Sequence, residues 1–390
     1  MNKLKLIAAA CLFFSIGISD LYSQKEELNP LKYGVPSLTI APDARGGGMG
    51  DLGAATEPDF ASQYWNPAKY AFAYSKAGVG LSYTPWLRKL VDDIDLAYLS
   101  GYYKLGDSDL QALGVSLRYF SLGKIDLTDY AGTPLTQTKP YEMAIDVSYS
   151  RKLSETFSGG VAFRYIYSDL GTGAKEIEMK PGSVFAADIA GYYNNYVMLG
   201  SSECLLGLGF NISNIAAQKI SYDDDLSSTF VPTTLRLGGS LLYPLDDYNT
   251  LSVNMDISKY LIPTYPNLTD LSNEEMEEEI RKYQDISPIS GIFKSFGDAP
   301  GGAKEEFNEI MWSFGAEYSY NQQFFVRGGY FYEHPTKGNR QYFSMGAGFK
   351  MNVLQIDAAY LISTVPSNPL DQTLRFSLSF DMDGLKSLMR

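Results

Sequence analysis

Tyr141-Glu142-Met143-Ala144-Ile145-Asp146-Val147-Ser148-Tyr149 alternates large apolar or aromatic side chains with small or charged ones. A period of two is that of a β-strand, whose successive side chains leave opposite faces. Here one face is hydrocarbon and the other carries two carboxylates and a hydroxyl. The pattern returns at 251–258, where Leu251, Val253, Met255 and Ile257 alternate with Ser252, Asn254, Asp256 and Ser258. It returns again near the end, where Leu374, Phe376, Leu378 and Phe380 alternate with Arg375, Ser377 and Ser379. Worked outward from these stretches, the chain from residue 78 predicts fourteen strands: 78–84, 93–104, 111–122, 140–152, 157–169, 182–193, 203–213, 233–243, 248–260, 311–320, 323–333, 341–351, 353–363 and 373–381.

The gaps between them are a second test. Odd-numbered connections run from roughly 7 to 50 residues and even-numbered ones from roughly 1 to 9, so long loops fall on one side and tight turns on the other. An even strand count and segregated loops predict an all-β fold, a 14-stranded antiparallel transmembrane barrel of the outer membrane with both termini periplasmic. Ten tilted residues span roughly 25 Å, the height of the apolar band.

Composition agrees. The 390 residues include 30 Tyr, 21 Phe and 36 Gly, which suit strands better than helices. Lys plus Arg number 32 against 45 Asp plus Glu, a net charge of −13, which argues against a nucleic-acid partner. One His and two Cys exclude multi-histidine metal sites and a disulfide framework. The residues call for no cofactor. Lys3 and Lys5 precede an apolar run from Leu6 to Ile18, too short to span a bilayer, so residues 1–23 read as a signal peptide. Cys204, the one thiol left after cleavage, sits in an apolar strand as a small filler.

The inward face is charged in both signs: Arg118, Arg164, Arg236, Arg327 and Arg375 against Glu142, Asp146, Asp188, Asp256, Glu317 and Asp357. In a wide barrel they would line water; in a plugged one they would hold the plug by paired charges and hydrogen bonds. Residues 24–77 lack long alternation. They contain Asp43, Arg45, Gly46, Gly47, Gly48 and Gly50, then Tyr64-Trp65-Asn66-Pro67-Ala68. Gly48, Gly50 and Gly53 spell a lone G-x-G-x-x-G with no strand before it, so a nucleotide site is not expected. Such a stretch can fold back as a hatch and offer its backbone to the inward charges.

The glycine stretch from Pro42 to Ala55, the Tyr64–Ala68 motif and a Tyr-rich barrel together resemble the PorV/PorQ family of the type IX secretion system of the Bacteroidetes phylum. That family lies within the FadL-like superfamily of fourteen-stranded barrels with an N-terminal hatch. The resemblance implies a non-enzymatic shuttle in protein secretion, with outer-membrane lipid around it. It would take cargo by its C-terminal signal domain from a giant β-barrel translocon of the Sov/SprA type. It would then deliver the cargo to an attachment complex containing a PorU-type sortase. The candidate hatch residues are Asp43, Arg45, Gly46, Gly47, Gly48 and Gly50 with Trp65, Asn66 and Pro67.

The longest connection, 261–310, predicts a helix with Glu274, Glu275 and Glu278 early and Arg281 and Lys282 late, matched to the helix dipole. These residues, with Asp223 and Asp224 of loop 214–232, form the candidate cargo- or partner-binding surface; as a bland alternative they form a solvated cap. Asp223 to Asp225 lack the spacing of a calcium loop. The segment 382–390 reads as a short periplasmic extension. Two other functions compete. A FadL-type transporter of hydrophobic small molecules would need an apolar pocket near the hatch, lined by Phe60, Tyr64, Trp65, Tyr70, Phe72 and Tyr74. A lipid hydrolase would have to use the sole His334, and no G-x-S-x-G motif accompanies it.

Overall fold

The computed structural model describes residues 28–381 except 90, 92, 107–108, 129–133, 172–179, 223–227, 269–270, 367 and 369. The expected signal peptide, the expected extension 382–390 and the acidic pair Asp223 and Asp224 lie outside the described residues. Fourteen strands form the wall: β1 (Ala77–Pro85), β2 (Ile94–Leu105), β3 (Gln111–Leu122), β4 (Tyr141–Lys152), β5 (Phe157–Asp169), β6 (Gly182–Leu199), β7 (Ser202–Ala216), β8 (Thr234–Pro244), β9 (Asn249–Tyr260), β10 (Met311–Tyr320), β11 (Phe324–Tyr332), β12 (Gln341–Met351), β13 (Leu354–Ser363) and β14 (Leu374–Asp381). Each pairs antiparallel with its sequence neighbours, and β1 closes on β14 from Gly78↔Asp381 to Tyr83↔Phe376. Closure removes the sheet edges that hydrocarbon could not satisfy.

The alternation sorts side chains as the sequence predicts. On β4, Ile145, Val147 and Tyr149 are exposed, while Glu142, Ala144, Asp146 and Ser148 are buried. Around the wall Phe163, Phe185, Val253, Val326 and Phe343 continue the outer apolar surface. A belt of this extent belongs against lipid. Among the described residues no helix is long and apolar enough to cross a membrane. The chain is therefore a β-barrel of the outer membrane, with the short connections at its periplasmic end and the long ones outside.

Three details differ from expectation. β6 runs to Leu199, not 193, because Asn194-Asn195 looks like a turn but pairs with Gly207 and Leu206; the turn comes at Gly200, whose φ is 66°. Short hairpins stand above the wall, Ile125–Thr128 with Pro134–Thr138 and Ile220–Ser221 with Ser228–Thr229. The start of the described chain also lies at the long-loop end, away from the periplasmic end. Asn29 N–H donates to Thr336 O at 3.0 Å and Gly34 N–H to Phe230 O at 2.8 Å. The chain then descends through the lumen and emerges at the short-turn end, where Lys104 N–H meets Lys76 O at 2.8 Å before β1 begins. A segment that must both fill the barrel and precede β1 has to run in this direction.

The descending segment packs backbone against backbone. A Cβ on Gly329 of β11 would lie 2.1 Å from Met49 C, and one on Gly209 of β7 would lie 2.0 Å from Ala54 O. Gly50, at φ 80°, turns under the Tyr330 backbone. Gly329→Ala is therefore expected to destabilise the barrel by about 1–3 kcal/mol through overpacking. Gly328→Ala on the same strand, with no atom within 4 Å of its Cβ, serves as the control. The check is the temperature at which unheated samples lose the compact band on electrophoresis. Equal temperatures for the two variants would mean that the plug does not press on the wall.

Candidate functional site

The plug segment is fixed from within and from the wall. Asp43 caps the short helix Ala44–Gly47 by accepting from Gly46 N–H at 2.7 Å, and its other oxygen accepts from Trp65 Nε1 at 2.7 Å. Asn66 caps the 3-10 turn Pro67–Phe72, where Pro67 starts the turn without needing an N–H partner. The Asn66 amide also donates to Ala54 O at 2.9 Å and to Gly191 O of β6 at 3.0 Å. The tyrosine-tryptophan motif thus closes the plug onto both its own glycine stretch and the wall.

Charges complete the attachment. Arg45 donates to both oxygens of Glu317 (3.2 and 2.9 Å) and to Asp59 at 3.1 Å. Glu317 also accepts from Arg327, which reaches Asp357 at 2.6 Å, so one layer runs from plug to three strands. Asp51 pairs with Arg375 and accepts from Tyr342 Oη at 2.6 Å. Asp256 accepts from Gly53 and Ala54 N–H at 2.8 and 2.9 Å, and Glu142 from Ser37 N–H at 3.0 Å. Arg118 donates to Ser37 O and Ile40 O at 2.6 and 3.0 Å. The guanidinium of Arg236 lies 5.0 Å from the Trp65 ring. Arg164 pairs with Asp146 and Asp188 within the wall alone. Removing one partner of such a buried pair costs about 3–5 kcal/mol, because the other is stranded without water.

At the outer end, the described residues of loop 261–310 pack against the rim. Its first helix, α1 (Asn273–Gln284), begins with a capping box between Ser272 and Glu275. Glu278 and Glu279 pair with Lys282 at 3.0 and 2.8 Å. Glu274 and Arg281 stand exposed on the same helix. The predicted acidic-to-basic helix is present, and three of its five candidate residues engage their own helix. The next helix, α2 (Pro288–Lys294), turns Gly291 inward against Pro263 and Phe230. It leaves Ile289 and Phe293 exposed, with Phe296 beyond it. A third helix, α3 (Ala303–Asn308), brings Glu305 and Glu306 to the rim. There Lys259 pairs with Glu306 at 3.1 Å and with Glu309, and Lys337 pairs with Glu305 and Glu309 at 2.6 and 2.9 Å.

The sequence reading missed this anchoring cluster, and it missed Asp51 as the partner of Arg375. Lys259 and Glu309 flank the loop at its two ends, a signal available in the sequence but indistinguishable there from ordinary rim charges. Of the aromatics nominated for a transport pocket, Phe60, Trp65 and Tyr70 are buried in the plug packing and Phe72 meets Tyr192 edge-on, whereas Tyr74 is exposed and lines a cavity of about 400 Å³ beside Arg45 and Glu317. His334 Nδ1 lies 2.9 Å from Thr336 Oγ1 within its own loop. Among the described residues no group of acidic, His and Cys side chains could hold a metal.

A family model described as "Type IX secretion system protein PorV" matches residues 23–267. Among solved structures, the chain is similar to the Pseudomonas putida toluene transporter TodX, with a TM-score of 0.51 and 11% identity over 91% of this chain and 99% of that one. It is similar to the deltaS2S3 mutant of the TodX monoaromatic hydrocarbon channel, with a TM-score of 0.51 and 12% identity over 87% of this chain and 98% of that one. A Pseudomonas aeruginosa FadL homologue aligns with a TM-score of 0.44 and 14% identity over 90% of this chain and all of that one. At these identities the structural likeness is one of fold. No curated protein matches the chain.

In the outer loop, burial together with nearby Glu306 and Glu309 pushes the Asp298 carboxyl up to about 6. Its Oδ2 accepts from Thr264 N–H at 3.2 Å. A carboxyl raised above its ordinary value of about 4 favours the docked loop when protonated, and that contribution is lost as pH rises from about 4 through 6. Limited proteolysis of loop 261–310 is expected to be severalfold faster at pH 8 than at pH 5, after correction for the protease. In Asp298→Asn, which keeps an acceptor for Thr264, the ratio is expected to fall toward one. Equal ratios in the two proteins would show that Asp298 does not control docking.

Proposed function

Because the chain belongs to the PorV family of type IX secretion system proteins, a family of non-enzymatic outer-membrane barrels, we propose that it is a cargo receptor closed to passage. It binds the C-terminal signal domain of secreted proteins at its long-loop end. It shuttles them from the giant barrel translocon to the surface attachment complex with its PorU-type sortase. The observation that carries this reading is the division of the molecule into a pinned interior and an elaborate exterior. Arg45, Asp51 and backbone groups of residues 37–54 engage Glu317, Arg375, Asp256, Glu142 and Arg118 of the wall, which pins the plug across the lumen. Loop 261–310, in contrast, is held at the rim and presents α1 with its charges beside the exposed apolar side chains of α2. An ordered surface that mixes exposed aromatics with charge suits protein recognition.

The transporter fold supports a second reading, a channel for hydrophobic small molecules, and the two separate cleanly by composition. A tagged copy purified from outer membranes in mild detergent is expected to bring down a very large barrel protein or secreted proteins that share a C-terminal domain. Recovery of the barrel alone with stoichiometric fatty acid would overturn the receptor reading in favour of transport.

A further inference from the structure

Between the plug and the seam that joins β1 to β14, the outer end of the lumen holds a cavity of about 260 Å³. Trp86, Phe120, Leu122, Leu361 and Leu370 form its apolar walls, and Arg375 and Asp51 lie at its floor. The plug uses the two floor residues and sets Ile40 against Phe120, Trp86 and Leu122, and the space beyond Ile40 toward Leu361 and Leu370 stays unfilled. Void beside apolar side chains forfeits dispersion contacts, so a cavity of this make-up is stabilised by an apolar guest.

The seam beside it is incomplete. The β1–β14 register stops at Tyr83↔Phe376, although β1 continues to Pro85 and β14 begins at Leu374. Thr84 Oγ1 and Arg375 Nε, one residue beyond the last pair, are both buried without a hydrogen-bond partner among the described residues. Buried polar atoms left this way are uncommon, and two flank the same split. They would be satisfied by one carbonyl and one N–H of a peptide group placed there.

Its outer side is bordered by Trp86 and Leu87, which follow β1, and by Leu370, which precedes β14, while the floor belongs to the charge layer that holds the plug. A guest entering from outside therefore meets a dead end. At about 260 Å³ the cavity is smaller than the roughly 300–1,000 Å³ that encloses a drug-sized ligand, and it has room for one small hydrophobe or one large apolar side chain. Of these, only a residue of a protein chain also brings a backbone carbonyl for the unpartnered Arg375 Nε.

We propose that this cavity is an anchor pocket for one bulky apolar side chain, leucine-like or aromatic, on a protein segment that approaches the outer face. The segment's backbone satisfies Arg375 and Thr84 at the split seam. This inference rests on the receptor reading and specifies where the cargo is gripped.

The test uses the full-length protein in its own outer membrane, with a photo-crosslinking phenylalanine derivative placed at Leu87, which borders the pocket, or at Glu278 on α1. The expected result is the same secreted protein captured at both positions, with the Leu87 adduct mapped beside an apolar residue of that protein. Leu361→Trp, which fills the pocket, is expected to lower capture at Glu278 at least tenfold while the compact electrophoretic band is kept. Leu370→Trp does the same from the loop side should the first variant fail to fold. Capture at Glu278 with no protein adduct at Leu87, or unchanged capture in both filled variants, overturns the pocket and spares the receptor reading. An adduct at Leu87 with lipid or a small hydrophobe alone also overturns it. Capture of no secreted protein at either position removes the receptor reading and this inference with it.

Discussion

A closed sheet surrounded by hydrocarbon has one place to put a charge, the lumen, and a charge placed there without partners is costly. The rest of the structure follows from how this chain meets that requirement. Arg118, Asp256, Glu317 and Arg375 all point inward, and each is met by the segment that precedes β1. The plug lends both charged side chains and bare backbone. Where it lends backbone, glycine on one or both sides permits the approach, as at Met49–Gly50 under Gly329. Arg164 with Asp146 and Asp188 shows the other solution, a triad closed within the wall.

The fold was legible because the wall obeys a strict local rule. A period of two set against lipid leaves little freedom, so four strands agree with the sequence-derived bounds to the residue: β3, β5, β10 and β12. It failed where local chemistry misled, as at Asn194-Asn195, whose turn-like composition lies within a continuing ladder. The inward charges were legible for the same reason. Their partners were not, because Asp51 and Arg375 are separated by most of the chain and nothing in either neighbourhood encodes the other. The direction of the plug was hidden as well. Nothing in the sequence of residues 28–34 says that they lie among outer loops, since the contacts that hold them come from Phe230 and Thr336.

The candidate partner surface was legible only as a helix. Ser272-x-x-Glu275 is a capping box, and the charge gradient from Glu274 to Lys282 fits the helix dipole, so α1 could be placed from sequence. That Glu275, Glu278 and Lys282 would turn to one another, leaving the apolar stripe of α2 as the more prominent feature, depends on how the loop lies on the rim. Lys259 and Lys337 decide that by gathering Glu305, Glu306 and Glu309 beneath it. Arg375 with Asp51 repeats this arrangement at the plug, whereas Arg45 with Glu317 reverses it, the plug supplying the cation and the wall the carboxylate.

If those charges hold the plug in place, the barrel does not conduct. The most direct measurement is single-channel recording of the purified protein in planar lipid bilayers at neutral pH and moderate salt. The account predicts insertion without a stable ohmic conductance, the plug layer of Arg45, Glu317 and Arg327 staying closed under voltage. A steady conductance of porin size in the intact protein would contradict it, since water and ions would then occupy the space assigned to the plug.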